Sequence, residues 1–311
     1  MTSVETNKSV CILLATFNGG GFLAEQLSSL LSQTYKNWVL VISDDGSTDH
    51  TLAILEKFKT ENIDQKIILR RGPREGFVSN FMSLLKDVNL DADYFAFCDQ
   101  DDVWLPDKLH KAVLVLDSID PGVPALYCGR TTYVNERLER IGESPNFVFP
   151  PTFRNALVQN IASGNTMVLN KRARGLVVSA GVFCPVSHDW WIYILVSGCG
   201  GSIHFDKVSH TLYRQHSHSA IGSGARFSDR LKRIRMVFSG QFKNWTDKNL
   251  ECLYSANHLL DKSSLEILKL FSTLRVAKFK DRVRLLEICG LYRQTWRGTL
   301  SLYLATILKK I

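Results

Sequence analysis

The sequence contains no apolar run approaching the roughly 18 residues that a membrane-spanning helix requires. Met1 to Val10 is polar and lacks the apolar core of a secretory signal. The seven cysteines, at 11, 98, 128, 184, 199, 252 and 289, form no CxxC pair and no other metal-ligand spacing. That argues against a thiolate metal module and predicts buried, reduced thiols in a cytoplasmic protein. There is no glycine-rich lysine loop of the kind that serves attack at a phosphate, which disfavours a nucleotidyltransferase. Internal repeats and low-complexity stretches are also missing.

What remains is an ordinary globular composition, 45% apolar and 22% charged over 311 residues. The length suggests one large domain with an appendage. The net charge of +8 is unevenly placed. From Ala225 onward, 18 Lys and Arg stand against 7 Asp and Glu, a balance of +11 that leaves −3 for everything before.

Before residue 120, apolar runs alternate with amphipathic segments, the mark of βαβ units and a mostly parallel sheet. Strands are predicted at Val10 to Ala15, Trp38 to Ser43, Ile67 to Arg70 and Tyr94 to Cys98. Between them, Leu23, Leu27, Leu30 and Leu31 recur at helical spacing, and helices are predicted over Asp49 to Lys59 and Phe77 to Lys86. Thr48 or Asp49 can cap the second helix, and Pro106 suits the first turn of the next. Later segments are less regular: strand-like Ala125 to Val134, a loop with Pro145, Pro150 and Pro151, strand-like Asn165 to Leu169, and a helix from about Asp189. Gly222-Ser223-Gly224 reads as a hinge, beyond which only helices are expected. These boundaries predict an α/β catalytic domain over 1–222, with halves at 8–120 and 121–222, and a basic helical region over 223–311.

Ligands of open parallel sheets bind beyond the carboxyl ends of the strands. Three such ends are unusually polar: Thr16-Phe17-Asn18, Asp44 to Asp49, and Asp99-Gln100-Asp101-Asp102. Acidic clusters at neighbouring strand ends repel unless a cation lies between them. A divalent ion carrying a diphosphate is the economical solution, because hard oxygen ligands suit Mg2+ or Mn2+. Asp44 to Asp49 also reads as an Asx-type turn and helix cap. Three carboxylates within four residues at Asp99 to Asp102 are too repulsive to be a turn alone.

Five segments together resemble the family-2 glycosyltransferases of the GT-A fold: Ile12 to Asn18 (ILLATFN), Ser43 to Asp49 (SDDGSTD), Cys98 to Leu109 (CDQDDVWLPDKL), His188-Asp189-Trp190-Trp191 and Tyr213 to His216 (YRQH). The last three forms are similar to a bacterial branch that includes rhamnosyltransferases of O-antigen and capsule assembly. The resemblance covers roughly residues 8 to 220. It implies that Thr16, Asn18, Asn80, Gln100 and Arg214 meet the nucleotide-sugar and that Asp44 reads the pyrimidine ring. Asp99 and Asp101 fill the DxD pattern, Asp101 as direct metal ligand and Asp99 nearer the ribose, with His216 adding a metal contact. Asp189 falls at the catalytic base, and Asp102, Trp190 and Trp191 on the acceptor side. Trp190 and Trp191 suit the core equally well, and Asp189 suits a helix cap. Two departures stand out: Gly72 to Phe81 (GPREGFVSNF) lacks the usual arginine pattern, which leaves Arg71 and Arg74 as alternatives to Asn80 for facing the donor, and His188 replaces the residue many members place before the base.

In the tail, Arg230 to Arg235 and Lys278 to Arg284 interleave cations with apolar residues, and Thr299 to Leu308 is apolar but only half a span long. Such composition fits helices lying on an anionic leaflet, or ordinary amphipathic helices packed on the catalytic domain; no nucleic-acid module accompanies the charge. The resemblance implies an inverting transfer of a sugar, L-rhamnose from dTDP-rhamnose, to a lipid-linked saccharide hydroxyl at the inner membrane face. A UDP-hexose donor and a catalytically silent nucleotide-sugar-binding partner are the alternatives.

Overall fold

In the computed structural model, which describes residues 7–87, 89–181, 185–216 and 240–311, the alternation before residue 120 resolves into β1 (Val10–Thr16), α1 (Leu23–Leu31), β2 (Trp38–Asp44), α2 (Thr51–Glu61), β3 (Ile67–Arg71), α3 (Phe77–Lys86) and β4 (Tyr94–Cys98). After these come β5 (Val103–Trp104), α4 (Lys108–Asp117), β6 (Ala125–Gly129), β7 (Thr132–Val134), β8 (Arg140–Glu143) and α5 (Phe153–Ala156). The remainder of this part is β9 (Val168–Asn170), α6 (Lys171–Ser179), α7 (His188–Gly198), β10 (Ser202–Asp206) and β11 (Thr211–Arg214). The main sheet runs β10-β6-β9-β4-β1-β2-β3 and is parallel except for β9, which pairs antiparallel with both β4 and β6. A second sheet, β5-β11-β7-β8, stands beside it.

The central strands read as unbroken apolar runs because both faces are covered. In β1, Cys11, Leu13 and Ala15 enter the core shared with α3, α6 and α7, while Val10, Ile12 and Leu14 enter the core beneath α1, α2 and α4. The period of two assigns each residue its side.

Three expected boundaries shift. The strand-like Ala125 to Val134 run is split between the two sheets, turning at Arg130-Thr131. The second helix starts at Thr51, and the Asp49 carboxylate accepts from Thr51 N–H at 3.0 Å just ahead of it. Pro106 lies in the turn before α4, whose N-cap is Asp107.

Beyond residue 240 the described chain is helical: α8 (Gln241–Ser255), α9 (Lys262–Val276), α10 (Phe279–Cys289) and α11 (Trp296–Ile307), with a short 3-10 turn after α8. Phe242, Leu253, Phe271, Leu274 and Leu286 belong to the same hydrophobic cluster as α7. α7 is therefore apolar on every side, as a helix enclosed between a sheet and other helices must be. Among the described residues no helix is long and apolar enough to cross a membrane. The Gly222 to Gly224 hinge, His218, Cys184 and the Arg230 to Arg235 cluster lie outside the described residues.

Candidate active site

The parallel register of β1, β2 and β4 brings their carboxyl ends together: Thr16 lies opposite Asp44, and Leu14 opposite Cys98. Gln100 ties the β1 and β4 loops, its side chain accepting from Phe17 N–H at 2.9 Å and donating to Phe17 C=O at 3.0 Å. Asn18, held at a positive φ of 47°, accepts from Thr48 N–H at 2.8 Å and so joins the β1 loop to the β2 loop.

Asp44 is the anchor of that β2 loop. Its carboxylate accepts from Thr16 Oγ1 (2.9 Å), Ser47 Oγ (2.6 Å), Gly46 N–H (3.1 Å) and Ser47 N–H (2.9 Å). A carboxylate offers about four lone-pair positions. All are taken inside the loop and the residue is buried, so in this structure Asp44 holds the turn together. Gly46 makes this turn possible, at a φ of 97° that a side chain would resist. Asp45 does the same work one loop further, accepting from Arg74 N–H and Gly76 N–H. Asn80, buried on α3, donates to Ser43 C=O at 2.9 Å, and its Oδ1 has no partner among the described residues.

The four residues after β4 divide by depth. Asp102 is fully buried, accepting from Asn165 Nδ2 (2.6 Å) and Arg214 N–H (3.1 Å), and burial together with the Asp101 and Asp99 charges pushes its carboxyl well up. It touches no open surface, which corrects its expected acceptor-side place. Asp99 accepts no side-chain hydrogen bond among the described residues; burial, then the charges of Asp101 and Asp189, raise its carboxyl to about 7. Asp101 meets His216 Nε2 at 2.8 Å. Among the described residues no three His, Cys, Asp or Glu side chains form a metal-holding group by themselves.

Arg214 was expected to meet phosphates. Instead its guanidinium has no exposed area: Nε donates to Asp101 C=O (2.9 Å), Nη1 to Glu136 C=O (2.5 Å) and Nη2 to the Glu25 carboxylate, and the group lies over the Phe22 ring. It braces the acidic loop from behind. Lys108, absent from the sequence-based set, does likewise: buried, it donates to Asn165 C=O at 2.5 Å and sits over Trp104. Burial lowers its ammonium to about 7, against the pull of nearby acids. Its place four residues after Trp104 in the WLPDK run was the available signal.

Asp189 opens α7, where helix N-terminal amides favour a carboxylate. It accepts from Trp190 N–H (2.6 Å) and Gly164 N–H (3.2 Å). His188 behind it is buried among Phe81, Phe97 and Phe77, both ring nitrogens without a partner among the described residues, and burial favours its neutral form by lowering its pKa. Trp190 and Trp191 are core residues: Trp190 Nε1 donates to Ala156 C=O and its ring meets Trp245 of α8 edge-on. Neither offers a face to a sugar, which corrects their acceptor-side expectation. The site thus gathers Asp99, Asp101, His216 and Asp189, and three neighbouring carboxylates suit a hard cation.

Comparison with known proteins bears on this arrangement. The chain is 30% identical over 267 residues to the dTDP-rhamnosyl transferase RfbG of Shigella flexneri, covering 80% of this chain and 86% of that one. It is 24% identical over 264 residues to an uncharacterised glycosyltransferase of Rickettsia typhi, covering 80% and 76%. Among solved structures, Staphylococcus aureus TarS 1–349 with UDP-GlcNAc superposes at a TM-score of 0.53 and 14% identity, covering 91% of this chain and 93% of that chain. The mannosyltransferase PcManGT of Pyrobaculum calidifontis, solved with GDP-Man and Mn2+, gives 0.52 and 17%, covering 98% and 88%. These two share the GT-A fold. The model of Glycosyl transferase family 2 matches residues 11–174, more than half of the chain, and the chain belongs to that family.

Proposed function

We propose that the protein is an inverting, divalent-cation-dependent glycosyltransferase that moves L-rhamnose from dTDP-rhamnose to a hydroxyl of a lipid-linked bacterial surface polysaccharide, at the inner face of the cytoplasmic membrane. The observation that carries the chemistry is the convergence of Asp99, Asp101 and Asp189 beside a histidine already paired with Asp101, where burial and then the charges of Asp101 and Asp189 raise the Asp99 carboxyl. Asp101 and His216 would hold Mg2+ or Mn2+, with Asp99 close by. When bound, the ion supplies charge stabilisation for the departing diphosphate. The remaining work falls to the chain. Thr16, Asn18, Gln100 and Asn80 shape the nucleotide side. Asp189, oriented by Gly164 and Trp190 amides, takes the acceptor proton as its oxygen attacks the anomeric carbon. One carboxylate on the face opposite the leaving group is what a single displacement needs.

The donor assignment is supported by the Shigella relative named for dTDP-rhamnosyl transfer. A UDP-sugar remains the competing donor, favoured by the fold shared with TarS, which was solved with UDP-GlcNAc. A panel of activated sugars, scored for Mg2+- or Mn2+-dependent nucleotide release, decides between them and repeats with Asp189→Asn. We expect dTDP-rhamnose to be used, and the variant to bind it without turnover. A wild-type protein that binds a donor but never turns it over would identify a silent partner instead.

A further inference from the structure

α11 has an apolar stripe on the wrong side. Its buried residues Leu302, Ala305 and Thr306 lie on one face. At 3.6 residues per turn, Trp296, Leu300 and Leu304 fall on the opposite one, with Leu308 continuing the line. These four are 68%, 53%, 54% and 55% exposed. A helix apolar all round is expected to be covered on both sides. Among the described residues the outer side stays exposed over about 18 Å.

Its surroundings are cationic. Arg297 lies over the Trp296 ring at one end, and Lys309 and Lys310 follow the other. α10 is fixed antiparallel beside it, with Arg282 donating to the carbonyls of Thr306 and Ile307 near its far end. On α10, Lys280 and Arg284 are exposed with Asp281 and Glu287, and Phe279 and Val283 add apolar area. The apolar surface continues past Trp296 into a cleft of about 880 Å³ lined by Phe149, Pro151, Tyr292 and Ile267, at the end of α7 away from Asp189.

We propose that the outer face of α11, with α10 beside it, is the surface by which the protein lies on an anionic lipid leaflet, Trp296, Leu300, Leu304 and Leu308 entering the acyl boundary while Arg297, Lys309, Lys280 and Arg284 meet the headgroups. A second copy of the chain is disfavoured as occupant, because a two-fold pairing along α11 sets cation against cation, Arg297 of one copy against Lys309 and Lys310 of the other when the helices run antiparallel. The proposal deepens the membrane part of the reading above and is independent of its chemistry.

The test is flotation of the full chain with phosphatidylglycerol or phosphatidylcholine vesicles, alongside donor turnover without acceptor. We expect flotation with the anionic vesicles only, weakened by salt. The triple variant Trp296→Ser, Leu300→Gln, Leu304→Gln should lose at least tenfold in bound fraction, while Ile63→Gln, more exposed still but in another part of the fold, should not. Circular dichroism and unchanged donor turnover establish that the triple variant is folded. Equal flotation of triple variant and wild type overturns the proposal. So does a wild type that stays with the unbound protein, or one that is a dimer in solution and becomes monomeric in the triple variant without any vesicle binding. Loss of donor turnover in the wild type would refute the chemistry instead and leave the flotation result standing.

Discussion

Replacing Arg214 by Met separates a brace from a phosphate ligand. The guanidinium is wholly buried and its donors serve Asp101 C=O, Glu136 C=O and Glu25. Methionine keeps most of the volume and removes every donor. Two part-buried carbonyls then lose their partner, at about 1.5 kcal/mol each. The stacking on Phe22 is worth roughly another 0.5–1 kcal/mol. The pair with Glu25, half-exposed, adds at most about 0.5 kcal/mol after solvent screening. The total is about 4 kcal/mol, a large share of the roughly 5–15 kcal/mol that holds a domain together. With an unfolding entropy near 2.1 cal/mol/K per residue, a 311-residue chain should melt about 6 °C lower. The assay is a thermal melt with donor KM measured on the same samples. Arg214→Lys should melt almost as low, because one ammonium cannot span three acceptors. A phosphate-binding arginine would behave the other way. A melting temperature within about 1 °C of wild type, together with a donor KM raised tenfold, would refute the brace.

Asp102→Leu leaves the Asn165 amide and Arg214 N–H unpaired in the interior and should cost about 3 kcal/mol in denaturant unfolding while donor KM in the folded fraction stays unchanged. Gly164→Ala builds a Cβ 2.8 Å from His188 Nε2 behind the Asp189 carboxylate. We expect a loss of about 1–3 kcal/mol in stability and a kcat reduced at least tenfold with donor KM unchanged; a wild-type kcat would show that Asp189 needs no such seat. Asp99 ionises near 7 in the folded chain against about 3.9 unfolded, so the native state holds an extra proton between these values, and stability contributed by this group falls as pH rises through that window. Cation binding must displace the proton, so Mn2+ affinity by titration calorimetry should be about tenfold tighter at pH 8 than at pH 6. Equal affinity at both would remove Asp99 from the cation's surroundings.

The sheet was legible because central strands covered on both faces are continuous apolar runs, and because β1, β2 and β4 each end in residues no core would accept. The acidic strand ends were legible as a group for the same reason. Their division of labour was not, since charge in a sequence does not tell which lone pairs are already filled. Asp44 is filled by Thr16 from β1, Asp102 by Asn165 from the segment before β9, and Arg214 by Glu25 from α1. Each partner lies on a different element, and only the fold sets it in place. Trp190 and Trp191 were ambiguous for a related reason: whether α7 has a free side depends on the C-terminal helices, which share its hydrophobic cluster and set Trp245 of α8 against Trp190. Setting aside Asp44, whose lone pairs are filled, and Asp102, which is enclosed, leaves Asp99, Asp101 and the part-exposed Asp189, which two amides orient, with His216 attached to Asp101. That remainder is a stricter criterion for a reacting site than acidity alone, because a carboxylate with filled lone pairs can hold a loop but cannot take up an incoming cation or proton without breaking it.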